Sequence, residues 1–504
     1  MNLPDLFAIP RQRHPQKIAI QYSSAAGEEI GFSYDELHRA AEQLASGLQE
    51  WGLRKGDRVA FFLSNRPEFV IAYLAVIRLG AIMVPINLRY RRLELSHILT
   101  DAAPRLLFTE RQHLPLFEEL LPDDKASLEA TVLAEELAQW QRTPEQAAAW
   151  PLVASDDLAL IMYTSGTTGR SKGAMLSHNN LMATMTGLIA AWAWEQDDRL
   201  LLCLPLFHTH GFVVGLHCAL AVGATVLLRP GFDCAATIAE LTSGAATLFF
   251  AVPTIYVRLV EELQKLPKQN FSGLRLFCSG SAPLAAETMT TFAGLTSHTI
   301  LERYGMTETG MNLSNPYHGP RQPGSVGTPL PGVSMRIVNE QNQDVAPGET
   351  GELLVRGSHV FLGYWQAPEK SAASFSHDQQ GRQWFHTGDL ARQEPESGYV
   401  SLLGRRHELI ISGGFNIYPR EIEEMLVTYP GVNEAAVIGI PDAKWGEVPA
   451  AYLVCTGEID REALLGYCRT QLASFKVPKE IHLVEALPRN AMGKLQKHLL
   501  NAPH

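Results

Sequence analysis

The stretch from Tyr163 to Gly173, YTSGTTGRSKG, sets three glycines, two serines and three threonines around one arginine and one lysine. Side chains so small and hydroxylated do not build a core, and glycine lets a loop turn its own N–H groups inward. An anion is the guest such a loop fits. It is not a Walker loop, because that motif needs GxxxxGK[ST] and Lys172 here precedes Gly173. A flexible surface loop is the bland alternative, but a linker has no need of Arg170 and Lys172 among its hydroxyls. Other groups able to do chemistry follow: His208 and His210 in LPLFHTHG, Thr307 and Glu308 in RYGMTET, Asp389 in TGD, and Lys494 in LPRNAMGK. Each has an ordinary reading when taken alone. A Thr-Glu pair is more often a helix cap, an Asp after Gly a turn residue, a near-terminal lysine a solvated charge, and a histidine among apolar neighbours a packed core residue.

The elements that must position these groups are legible in the apolar pattern. Ser33 and Glu36 form a capping box ahead of Leu37, Leu44, Leu48 and Trp51, with Gly52 as the stop, which predicts one amphipathic helix. Strand-like runs (LALIMYT, LLLCLP, ATVLL, ATLFFAV, LRLFCSG) alternate with helical or loop segments, the pattern of a mostly parallel sheet covered on both faces. Ligands in such folds collect beyond the strand ends. The glycine-rich loop is expected to leave an apolar strand and precede the helical LMATMTGLIAAWAW. A Pro- and Gly-rich stretch, 316–331, precedes shorter strands (SMRIV, GELLVRG, YVSLLG) that predict a β-rich subdomain. About Gly404 the character changes again. The expected fold is therefore α/β: a large N-terminal domain, 1–404, with mostly parallel sheets covered by helices plus the β-rich part, and a small mobile α+β C-terminal domain, 405–504.

Composition narrows the partners. With 504 residues, 46% apolar and 19% charged, the chain is globular and exceeds one ordinary core. Its 42 basic and 53 acidic residues leave a net charge of −11, which opposes nonspecific attraction to nucleic acid or an anionic membrane and directs attention to small molecules. Six cysteines show no CxxC or metal-ligand spacing, as expected of a reducing compartment. The run from Phe69, FVIAYLAVIRLGAIMVPI, is broken by Arg78, Gly80 and Pro85, so a buried helix followed by a strand is expected rather than a membrane span. No signal core or retention address is read at either end, and the expectation is a cytoplasmic protein.

Taken together, YTSGTTGRSKG, LPLFHTHG, RYGMTET, TGD, GRRHELIISGGFNIYPREIE and LPRNAMGK resemble, in the same order and over nearly the full length, the adenylate-forming superfamily of acyl-CoA synthetases. Within it, ERYGMTETGMNLSNPY and ISGGFNIYP are similar to the malonyl-CoA synthetases, which join malonate or methylmalonate to coenzyme A. The resemblance implies a two-step reaction with ATP, Mg²⁺ and coenzyme A. It also implies roles. Thr164, Ser165, Gly166, Thr167, Thr168, Gly169 and Lys172 would hold the β- and γ-phosphates; Glu308 would ligate Mg²⁺ and Thr307 bind the α-phosphate. Asp389 would accept the ribose hydroxyls with Arg405 assisting. Ser279, Gly280, Ser281, Ala282 and Pro283, with Glu302, Arg303, Tyr304, Gly305 and Met306, would form the adenine and AMP pocket. Lys494 would bridge substrate carboxylate and α-phosphate in adenylation. A hinge is implied at His407, where this chain departs from the lysine or aspartate of many relatives, and Gly413, Gly414 and Phe415 would line the path of pantetheine. His208 would gate between the acyl pocket and that path; His210, Met311 and Ser279 are further acid-pocket candidates.

The acid itself is read from Arg258. On a helix it lies three residues from Ile255 and beside Leu259, at the border of the apolar stripe, where a guanidinium needs a carboxylate or must snorkel out. A dicarboxylate keeps one charged end, which a bidentate arginine suits, so Arg258 is expected to grip it. Other short dicarboxylates, an uncharged fatty or aryl acid, loading of a carrier protein, and a catalytically silent nucleotide-binding relative stay open at this level.

Overall fold

The computed structural model describes residues 1–24, 27–143, 150–164, 171–412, 415–442, 445–489 and 495–500. They fall into two compact units, one of residues 1–323, 329–334 and 356–383, the other of 324–328, 335–355 and 384–504. Compactness thus groups the β-rich segment with the C-terminal residues, and position 404/405 falls inside the second unit.

The first unit is built on two sheets. In the larger, the strands run in the order Gly310–Ser314, Leu301–Met306, Leu276–Ser279, Leu248–Ala251, Arg199–Leu202, Thr225–Leu228, Ile18–Ser23 and Glu29–Ser33. The six inner strands are parallel and the outer two antiparallel. The other has the order Ala130–Leu133, Leu106–Thr109, Arg58–Phe62, Ile82–Pro85, Leu158–Thr164 and Lys172–Ser177, parallel except for its last pair. LALIMYT therefore belongs to a different sheet from the four runs after it. Continuous apolar strands fit this arrangement because both faces of a parallel sheet are covered.

Local rules place the helices. The helix Tyr34–Trp51 begins on the Ser33–Glu36 capping box and stops at Gly52, whose φ of 109° is open to glycine at no steric cost. Leu37, Leu44 and Leu48 are fully buried. From Phe69 to Ile77 every residue of the helix Pro67–Arg78 is buried, and the strand Ile82–Pro85 follows, as the broken apolar run implied. No helix among the described residues is long and apolar enough to cross a membrane. The six cysteines are free thiols, four of them buried.

In the second unit, Thr350–Arg356 pairs antiparallel with Gln383–Gln393, which pairs with Val400–Arg405. The C-terminal part is α+β. Its sheet runs Phe415–Ile417, Ile410–Ser412, Gly446–Cys455, Val432–Asp442, with Glu480–Leu483 added parallel to Gly446–Cys455. The helices Pro419–Leu426 and Arg461–Gln471 pack on it through Ile422, Leu426, Leu464 and Cys468.

Candidate active site

The glycine-rich loop joins two antiparallel strands. Thr164, at the end of Leu158–Thr164, lies opposite Lys172, which opens Lys172–Ser177. The helix His178–Ala191 starts after that second strand, on a Ser177 cap. This corrects the expectation of a loop opening onto a helix: six strand residues intervene, and a helix dipole fades within one turn. Ser165, Gly166, Thr167, Thr168, Gly169 and Arg170 lie outside the described residues.

Side chains missed by sequence reasoning brace the loop's stems. Tyr163 donates its hydroxyl to the Asp101 carboxylate. The Trp365 indole N–H donates to the Asp101 carbonyl at 3.0 Å, and His97 Nε2 lies 2.8 Å from the Ser171 carbonyl oxygen. His97 and Asp101 share the helix Arg92–Ala102, far from the loop in sequence, and no local signal marks them.

Glu308 is 6% exposed, and its Oε1 accepts from the Tyr364 hydroxyl at 3.0 Å and from Thr164 Oγ1 at 3.4 Å. The Lys172 ammonium lies over the same Tyr364 ring, 5.0 Å from its centre. Thr164, Lys172 and Glu308 thus converge through Tyr364, with Thr307 half-buried beside them. Among the described residues no cluster of three or more His, Cys, Asp or Glu side chains could hold a metal ion. One hard carboxylate beside hydroxyl oxygens fits Mg²⁺, which commonly takes one or two carboxylates and completes its shell with phosphate and water.

The second cluster surrounds Arg303. This side chain is 2% exposed, and its Nε and Nη2 have no hydrogen-bond partner among the described residues. Burial pulls its pKa below the usual arginine value, and the adjacent Cys278 thiol offsets part of that. The guanidinium packs over Gly280, where a Cβ would stand 2.5 Å from its central carbon. Next to it, the Ser279 hydroxyl is fully buried and unpartnered. His210 is 2% exposed; its Nδ1 lies 3.2 Å from Ser281 Oγ while Nε2 has no partner. Burial first, then the nearby Arg303 charge, hold His210 well below its ordinary pKa, so it stays neutral at pH 7. Ser281 has φ +74°, a conformation costly for a residue with a Cβ and frequent at functional sites. His210 opens a π-type helical turn, His210–His217, another feature frequent at such sites. His208, half-buried, precedes it and accepts the Phe212 N–H on its carbonyl.

The remaining residues expected around the nucleotide take several environments. Glu302 accepts the Leu284 N–H at 3.0 Å and so fixes the 280–284 turn. Tyr304 is largely buried with its hydroxyl 3.9 Å from Met306 sulfur. Gly305 faces the buried Met311 across the strand pair. Ala282 is half-buried and Pro283 exposed. In the second unit Asp389, 6% exposed, pairs with Arg405 at 2.9 Å. His407 is exposed in the turn Arg406–Glu408. Gly413, Gly414 and Lys494 lie outside the described residues, and Phe415 opens the strand Phe415–Ile417.

Arg258 is a correction. The helix Pro253–Leu263 buries Tyr256, Leu259 and Leu263 and leaves Arg258 exposed, its guanidinium 5.0 Å from the Phe232 ring centre. Snorkelling onto an aromatic face satisfies it without a substrate. The buried guanidinium is that of Arg303.

Against known proteins, the model of the AMP-binding enzyme family matches residues 7–365, and that of the AMP-binding enzyme C-terminal domain matches 421–494. The chain is 38% identical over 483 residues to the mitochondrial malonate–CoA ligase of Bos taurus, covering 88% of this chain and 80% of that one. It is 36% identical over 491 residues to feruloyl-CoA synthase of an Amycolatopsis species, covering 96% and 95%. The crystal structure of ATP-bound MatB from Rhodopseudomonas palustris superposes with a TM-score of 0.91 at 40% identity, over 99% of this chain and 98% of that one.

Proposed function

The chain belongs to the AMP-binding enzyme family and is an AMP-forming acid:CoA ligase; we propose that the acid it joins to coenzyme A is malonate or methylmalonate. The observation that carries this is the buried Arg303 guanidinium with two unpartnered donor atoms. Leaving a buried charge unpaired costs several kcal/mol, and a ligand carboxylate on Nε and Nη2 removes that cost through charge-assisted hydrogen bonds. Ser279 Oγ and His210 Nε2 supply neutral polar contacts without adding a second fixed charge. The similarity to a malonate–CoA ligase supports the same acid; the similarity to feruloyl-CoA synthase keeps an aryl acid as the second reading.

A carboxylate lacks a usable leaving group, so the first half-reaction must convert it to an acyl-adenylate with release of pyrophosphate. Two unit charges 4 Å apart repel by about 4 kcal/mol at an effective dielectric of 20. Arg303 would hold the distal carboxylate and aim the proximal one. Thr164, Ser165, Gly166, Thr167, Thr168, Gly169 and Lys172 would cradle the outer phosphates, and Thr307 would donate to the α-phosphate. Mg²⁺, on Glu308 and phosphate oxygens, would supply charge neutralisation on the phosphates. Tyr364 and Thr164 keep the Glu308 carboxylate oriented for it. Tyr304 would stack on adenine, Asp389 would accept from the ribose hydroxyls with Arg405 fixing its orientation, and Lys494 would neutralise the developing charge between carboxylate and α-phosphate. For the second half-reaction the segment after His407 would rotate and present Gly413 and Gly414 to pantetheine.

The test is CoA-dependent AMP formation with acetate, oxalate, malonate, methylmalonate, succinate, octanoate and ferulate. Malonate or methylmalonate should give the highest kcat/KM. A preference for octanoate or ferulate over every dicarboxylate would refute the assignment of the acid while leaving the ligase chemistry intact.

A further inference from the structure

Lys497 lies in the short turn Lys497–Leu499, three residues beyond Lys494, and its side chain is 14% exposed. Its ammonium sits 2.7 Å from Glu423 Oε1 and 3.1 Å from Glu408 Oε2. The carboxylates come from separate elements: Glu423 from the helix Pro419–Leu426, Glu408 from the turn that also contains His407. Glu423 is fixed in turn by the Val437 N–H at 2.7 Å, a bond to the sheet. Burial alone would lower the Lys497 pKa; the two carboxylates more than offset it, and the group is raised above its ordinary value.

The chain on either side of residues 490–494 is pinned to the same body. Arg489 and Leu495 form an antiparallel bridge, and the Gln496 N–H donates to the Pro488 carbonyl at 2.8 Å. Arg489 pairs with Glu434 at 2.6 Å. Leu487, Leu495 and Leu500 pack with Ala436, Ala450 and Tyr452. Apolar packing resists separation but tolerates sliding, whereas an ammonium held by two carboxylates fixes a position along the chain.

We propose that Lys497 is a positioning residue for adenylation: with Glu408 and Glu423 it fastens the segment following Lys494 to the turn at the hinge residue His407. The proposal rests on the roles given above to Lys494 and His407. Rotation about the hinge then carries residues 495–500, next to Lys494, with the hinge turn as one body. The thioester-forming step does not use Lys494, so it does not depend on that connection.

The two half-reactions separate the possibilities. Adenylation is read as malonate-dependent exchange of pyrophosphate into ATP, and thioester formation as CoA-dependent consumption of preformed acyl-adenylate. Lys497→Met should lower the exchange kcat tenfold or more, shift KM for ATP and malonate less than threefold, and leave the thioester step within threefold of wild type. Lys497→Arg, which can reach both carboxylates, should recover most of the exchange, and Glu408→Gln should fall between. Equal loss of both half-reactions, as from a misfolded C-terminal part, or a loss expressed in KM alone, would overturn the proposal. So would a Lys497→Met enzyme that exchanges at the wild-type rate. Wild-type exchange is the separate check on the underlying reading: silence there with every acid tested refutes that reading, and this proposal with it.

Discussion

Replacing Arg303 by methionine keeps much of the side chain's length and apolar stem but removes the guanidinium, whose Nε and Nη2 have no partner among the described residues. Hydrogen bonds to a charged group contribute about 1.5–3 kcal/mol each, so losing two to a substrate carboxylate costs about 3–6 kcal/mol. At about 1.4 kcal/mol per tenfold, kcat/KM for malonate should fall by about 10²- to 10⁴-fold. The ATP KM should change less than twofold, because Thr164, Lys172 and Glu308 form a different cluster. Butyrate, with no distal charge, should lose less than threefold or gain. Stability should move the opposite way. The free enzyme carries the desolvated guanidinium with only the Cys278 thiol to offset its burial, so its removal should raise the thermal midpoint. The assay is AMP release with malonate and butyrate beside a thermal melt of the substrate-free protein. A malonate kcat/KM within threefold of wild type, or equal losses for the two acids, refutes the assignment of Arg303.

Arg258→Ala should leave malonate kinetics within twofold of wild type, since that side chain is exposed on Phe232; a loss of a hundredfold in the same assay would restore it as the gripping residue. His97→Ala removes the contact to the Ser171 carbonyl, worth about 1 kcal/mol, and should raise the ATP KM about fivefold with kcat nearly unchanged, whereas His97→Gln should recover part of the loss; unchanged ATP kinetics would show that the loop does not need this brace. Burial lowers His38, His178 and His359 to about 4 and His217 to about 3, from 6.5. The unfolded chain therefore binds more protons between pH 6.5 and 4, and stability is lost as pH falls through that window. Each of the four costs about 1.4 kcal/mol at pH 5.5, and the equally buried His210 adds to their sum. Denaturant midpoints at pH 7.5 and 5.5 should show it, and His217→Phe should flatten the dependence by about 1.4 kcal/mol; a pH-independent midpoint would contradict the burial of these rings.

How much of this could be read before folding differs by residue. The helix Tyr34–Trp51 was legible to its caps, because capping and the 3.6-residue apolar period are local. The buried helix after Phe69 and the strand-forming runs were legible for the same reason. The order of strands within the sheets was not, since it depends on pairing partners remote in sequence. Nor was the strand Lys172–Ser177, too short and only partly apolar to stand out. Tyr364 meets Glu308 across 56 positions, and His97 meets Ser171 across 74; no spacing rule reaches so far.

The sequence by itself determined which groups the chain carries and in what order: a hydroxyl- and glycine-rich stretch with cations, the Thr307–Glu308 pair and Lys494, in an order that identified the family. Tertiary structure alone decided how deeply each of two arginines is buried. The sequence reading put Arg258 on the acid and Arg303 in the adenine pocket. Arg258 rides the outer face of a helix and reaches an aromatic ring at the surface. Arg303 is enclosed because its strand, Leu301–Met306, is sandwiched between Leu276–Ser279 and Gly310–Ser314. Local spacing sets what kind of element forms; burial of a charge is set by neighbours from elsewhere in the chain, and only burial makes an unpaired guanidinium demand a ligand.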